Sequence, residues 1–148
     1  MNFNPQHVID LLIAFALAFP LGIERERSEH TAGIRTFPLV AVATCAFLLA
    51  CEGLRKDNAD VLSRVLQGLV AGIGFIGGGA ILKTGNAVIG TATAAGIFAT
   101  AAIGACVALH VWDVAIALSA ISFLTLHALK RFTHEPEAGN RGKAARSD

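Results

Sequence analysis

Residues 65–82 read VLQGLVAGIGFIGGGAIL, eighteen residues without a charge. The hydrocarbon core of a bilayer is crossed by about 20 mainly apolar helical residues, with a range of roughly 17–25. This stretch is therefore long enough to span. A helix on the surface of a soluble bundle needs a polar face, and this one offers no charge on any side.

The remaining 148-residue sequence repeats the pattern. Residues 8–23 carry one charge, Asp10, and residues 37–54 carry one, Glu52. Residues 87–129 also carry one, Asp113. As a single helix that last stretch would run about 65 Å, twice the hydrocarbon thickness, so it must turn. The turn is placed at His110-Val111-Trp112-Asp113, where polar residues flank a Trp of the interfacial kind. Five spans follow, at about 7–23, 37–54, 65–83, 87–108 and 112–130. The expected fold is an all-α polytopic membrane protein whose third and fourth helices are rich in glycine.

Composition agrees. Apolar residues make up 54% and charged residues 16%, against about 45–50% and about 25% in soluble domains. Mean hydropathy is +0.61. These values exclude intrinsic disorder and argue against an ordinary soluble enzyme. Twelve basic and eleven acidic residues give a net charge of +1, so there is no basic footprint for nucleic acid. The partner implied by the composition is the lipid bilayer. A signal-peptide reading of the first segment fails, because residues 1–7 hold no Lys or Arg.

Orientation is read from Lys and Arg. With five spans, placing the tail inside puts Arg25, Arg27, Arg35, Lys83 and the five basic residues from Lys130 onward in the cytoplasm. Arg55, Lys56 and Arg64 then lie outside. The positive-inside rule favours this arrangement, with the N-terminus out and the C-terminus in. Residues 1–132 form the membrane domain, and residues 133–148 are expected to be a disordered cytoplasmic tail.

Residues 72–77, GIGFIG, match G-x-G-x-x-G by letter. A dinucleotide site would need a preceding strand and an acid about 20 residues later, whereas the next acid is Asp113. Close helix packing is the better reading. Gly68 and Gly72, and Gly74 and Gly78, form small-xxx-small pairs. Gly90 with Ala94 and Ala101 with Ala105 continue the theme on the fourth span. Alternatively, Gly77–Gly79 breaks the helix locally, and such a break is tolerated at membrane depth only inside protein or beside water. That reading makes the chain a small ion transporter or channel, with Thr93 on the pathway. The quieter role for Thr91 and Thr93 is hydrogen bonding between helices or back to their own carbonyls.

The first loop is the richest polar patch. Arg35 could return to Glu24 or Glu26 as a staple, or hold a lipid phosphate or a partner's carboxylate through its planar fork. Asp10 and Asp113 fall at outer span ends and are candidate ligands for a divalent cation. His127 is expected to pack or to snorkel. Cys45, Cys51 and Cys106 lack metal-site spacing and read as small apolar packers. No zinc spacing, nucleophile elbow or phosphate loop stands in the sequence. No catalytic residue, cofactor or enzymatic activity is therefore expected.

Three blocks resemble the MgtC/SapB family of bacterial inner-membrane proteins. Residues 21–26, LGIERE, resemble its G-[LI]-E-R-E block. Residues 32–40, AGIRTFPLV, resemble A-G-[LI]-R-T-x-x-L-V, and residues 72–82 resemble G-I-G-F-[LI]-G-A-G-x-I-L. Residues 90–104 follow the family's next segment, so order and spacing agree over about residues 11–104. Thr91-Ala92 stands where Leu-Thr is usual, Phe98 where a Trp is usual, and Gly78 where an alanine is usual.

The resemblance implies links to magnesium limitation, acid tolerance and intracellular survival. It implies action by binding other membrane proteins, with no enzymatic activity. It places functional weight on Glu24, Glu26, Arg35, Thr36, Gly74, Gly77 and Gly79. Longer members carry a cytoplasmic ACT-like domain, and no such soluble C-terminal domain is expected here. Self-association is expected too, because the glycine faces exceed what one five-helix bundle uses.

Overall fold

A computed structural model describes residues 4–28, 33–53, 59–85 and 87–129. Five long helices lie among them: α1 (Pro5–Ser28), α2 (Thr36–Ala50), α3 (Ala59–Gly79), α4 (Thr91–Ala108) and α5 (Trp112–Leu129). Between α3 and α4 sit two three-residue strands, β1 (Leu82–Thr84) and β2 (Ala87–Ile89), paired antiparallel with Lys83 opposite Val88. The fold is all-α apart from this hairpin. Three helical stretches, Pro5–Arg27, Asp60–Gly79 and Thr91–Ala108, are long and apolar enough to cross a membrane, and α2 and α5 contribute shorter apolar ones.

α2 and α4 form the centre and pack most extensively against each other, with α1 and α5 alongside. Between helices in lipid the hydrophobic effect supplies no drive, so close backbone approach and dispersion must hold the bundle. The sequence provides for this with small residues. A Cβ on Gly96 would stand 2.6 Å from the Phe37 ring, and one on Gly104 would strike the Ala41 carbonyl oxygen. Two buried clusters result. One gathers Ala14, Ala18, Ala41, Cys45, Val107 and Ala115 toward the Asp10 end. The other gathers Leu21, Phe37, Ile73, Ile97 and Ile103 toward the Glu24 end.

Polar residues inside the bundle bind backbone carbonyls. The Thr100 hydroxyl donates to Gly96 O and Ile97 O, and Thr44 donates to Val40 O. Ser119 on α5 donates to Leu17 O on α1 at 2.7 Å, close to Pro20, where the missing proline N–H disturbs the helix ladder.

Several expectations change. The third helix ends at Gly79 and the fourth starts at Thr91, with the hairpin filling residues that read as helix or loop. α3 ends on the glycine run: Gly79 is its last residue, and it closes with Ala80 N–H to Gly77 O and Ile81 N–H to Gly78 O, both 3.1 Å. Gly68, Gly72, Gly74 and Gly78 do not pack against another helix, for nothing lies within 4 Å of a Cβ built on any of them. Gly77, outside those pairs, is the glycine of α3 that packs, against Ala94. The turn at His110 does form, with His110 itself at φ 57°. Residues 130–148, with the expected tail, lie outside the described residues.

Candidate functional site

The end of α1 carries Glu24 and Arg25 into the interior, where they are only 4% and 5% exposed. Arg25 belongs to the stripe Asp10, Ala14, Ala18, Leu21, Arg25, all buried and spaced three or four residues apart as one helix face requires. Arg25 Nη2 donates to Thr93 Oγ1 at 2.9 Å, joining α1 to the first turn of α4. Glu24 Oε2 lies 3.2 Å from His127 Nδ1 near the end of α5. The His127 ring stacks on Phe123 at 5.8 Å. Three helices are thus tied by one polar knot at this end.

The knot assigns Thr93 its role. Its hydroxyl oxygen accepts from the Arg25 guanidinium and so links α1 to α4. Interhelical hydrogen bonding is the role the geometry supports. Thr93→Val keeps the shape and leaves the buried guanidinium short of an acceptor. It is expected to cost about 1.5–3 kcal/mol, seen as a lower Tm in mild detergent.

The loop residues separate by task. Glu26 is exposed and its Oε2 accepts the Ile34 N–H at 3.2 Å. Gly33 lies against Glu26, whose Cα would be 2.8 Å from an added Cβ. The Gly33 carbonyl accepts N–H groups from Thr36 and Phe37, both at 3.1 Å, and so starts α2. Gly22 faces the Ile34 backbone at 3.1 Å. The first two sequence blocks are therefore pressed together, and their glycines allow the approach. The expected staple from Arg35 does not form: among the described residues Arg35 makes no ion pair with Glu24 or Glu26, and it stands exposed at the start of α2. Thr36 beside it is half-buried.

Gly90 caps α4 in the left-handed region at φ 84°, facing the Ala80 carbonyl, a conformation a side chain would strain. Gly74 and Gly79 meet no neighbour.

Of the two candidate cation ligands, Asp10 is 0% exposed, its Oδ1 accepting from Gln6 Nε2 at 3.1 Å and its Oδ2 without a partner. Asp113 is exposed at the start of α5. Among the described residues no three His, Cys, Asp or Glu side chains gather as a metal site. Above Asp10, His7 Nε2 and Glu52 Oε2 pair at 3.3 Å and join the start of α1 to the residues just after α2. The three cysteines are free thiols.

Between α2 and α3 runs an apolar groove of about 750 Å³, lined by Leu39, Val40, Phe47, Val65, Gly68 and Gly72 among others, with Arg35 and Thr36 at one end. The sequence holds the signal for it in the spacing of Val65, Gly68, Gly72 and Ile76 on one face of α3.

A sequence model of the MgtC family matches residues 11–135. The chain belongs to the MgtC family. Protein SrpB of Synechococcus elongatus is 36% identical over 133 residues, covering 82% of this chain and 73% of SrpB. The "Putative magnesium transporter YhiD" of Escherichia coli is 31% identical over 137 residues, 86% of this chain and 62% of YhiD. Protein MgtC of Salmonella paratyphi A is 31% identical over 141 residues, 93% of this chain and 60% of that protein. The chain thus spans about three-fifths of the length of YhiD and MgtC. No solved structure gives a significant match. As an MgtC-family chain this is a membrane protein, and it exposes large apolar side chains, including Leu12, Leu39, Phe47 and Phe75.

Proposed function

We propose that this chain acts in the bacterial inner membrane as a non-enzymatic modulator of ion homeostasis. It binds another membrane complex, or further copies of itself, under magnesium limitation, acid or virulence stress. All five long helices span, with the N-terminus outside and the Glu24 end in the cytoplasm, the side that the distribution of Lys and Arg favours.

The observation that carries this reading is the state of α3. It is the least embraced of the long helices, and its inner stripe, Ile73 and Gly77, alone is buried. At 100° per residue, Gly74 and Gly78 share a stripe on the flank opposite the groove, open to approach by a second helix. Phe75 beside them is 85% exposed.

The test is purification of the tagged chain from native membranes in mild detergent. A co-purifying membrane polypeptide, or a differently tagged copy, is expected, and Gly74→Leu should largely remove it while the monomer's Tm is kept. Retention of the partner by Gly74→Leu would refute the assigned face. A second reading, a small ion transporter, draws on the name given to YhiD. It requires magnesium flux into proteoliposomes holding this protein alone, abolished by Gly78→Leu, and such flux would displace the modulator.

A further inference from the structure

We propose that the groove between α2 and α3 is a binding site for an anionic phospholipid, its headgroup phosphate held by Arg35 and its acyl chains lying along the Gly68–Gly72 wall. Charge is the first argument. Among the described residues lining the groove, Arg35 is the only charged one. Among the described residues no carboxylate pairs with Arg35. A guanidinium at the end of an apolar trough is complementary to a phosphate that carries hydrocarbon, through its two-pronged donor geometry.

Dimensions are the second argument. From Arg35 to Cys51 the α2 wall rises about 24 Å, more than the roughly 15 Å of one hydrocarbon leaflet. An acyl chain therefore fits along it from headgroup to tail.

The lining is the third. Gly68 and Gly72 meet nothing within 4 Å, so the floor is open, and Thr44, within it, spends its hydroxyl proton on Val40 O. The interior thus offers little polarity and the mouth one cation. This flank of α3 is distinct from the one bearing Gly74 and Gly78, so the lipid site and the protein-binding face stand or fall separately.

The experiment uses the full chain, delipidated in mild detergent and offered phosphatidylglycerol or phosphatidylethanolamine of identical acyl chains. Bound lipid is counted by native mass spectrometry. The wild type is expected to retain phosphatidylglycerol about fivefold over phosphatidylethanolamine. Arg35→Ala should abolish the preference, and Arg35→Lys should restore part of it. Arg27→Ala removes an equal charge at the same end but does not line the groove, and it should leave the preference intact. Gly72→Leu fills the floor and should lower retention of both lipids. Inorganic phosphate at the same concentration should not compete, because it lacks the chains. Equal retention of the two lipids by wild type, or loss of preference in Arg27→Ala as readily as in Arg35→Ala, overturns the proposal. So does a co-purifying protein that Gly72→Leu displaces while lipid retention is unchanged.

Discussion

Gly104→Ala is expected to lower stability by about 3 kcal/mol, roughly 10 °C in Tm for a chain of this size. The added methyl would strike the Ala41 carbonyl oxygen, with the Ala41 carbonyl carbon 2.9 Å away. Backbone cannot move aside as a flexible side chain can, so α2 and α4 must separate along their whole contact. That contact is the most extensive between any two helices here, and both buried clusters draw on it. The comparison is Gly68→Ala, where nothing lies within 4 Å. In a helix, alanine is favoured over glycine by about 1 kcal/mol, so that variant should hold or gain stability. Thermal unfolding of both in the same mild detergent checks the pair. Equal Tm values would show that small residues at the α2–α4 crossing do not set the packing.

Arg25→Met is expected to cost about 3 kcal/mol, the upper end for hydrogen bonds made by a charged group. The methionine fills similar volume, so the loss measures the guanidinium. Thr93 loses its 2.9 Å donor. Glu24, the preceding residue and also buried, pairs with His127. The check is again Tm in detergent, together with protease resistance of the α1–α2 connection. If Arg25→Met lost less than Thr93→Val, the knot would not organise this end of the bundle.

The apolar segments were readable from charge spacing alone, and so was the turn at His110. The hairpin was not. Leu82, Val88 and Ile89 are apolar, and a short apolar run looks the same as a strand or as a helical turn. Lys83, Thr84 and Gly85 marked a connection, not its geometry. The glycines show a deeper limit. Gly72 and Gly104 are identical in a sequence, yet one faces open space and the other a carbonyl. Tertiary neighbours alone tell them apart. Thr93 was named from its polarity, whereas its partner Arg25 was passed over because it stands among four alternating charges that resemble a solvated helix end. The stripe from Asp10 through Ala14, Ala18 and Leu21 to Arg25 carried the missing information. In a membrane bundle small residues point inward, and a stripe read by size would have shown both ionisable residues on the buried face. The first two family blocks meet in the fold, where Gly33 approaches Glu26 and Gly22 approaches Ile34.

α2 has fifteen residues and so rises about 22 Å, against a hydrocarbon core of about 30 Å. α1, with 24 residues, exceeds that thickness. On the proposed five-span topology, the lipids on the α2 flank compress and those beside α1 do not. The strain is a fraction of a kcal/mol per ångström, and it tapers into the surrounding sheet of lipid. Two molecules that share one pinched patch distort less bilayer than two apart, so bilayer elasticity draws such proteins together before any side chain of one meets the other.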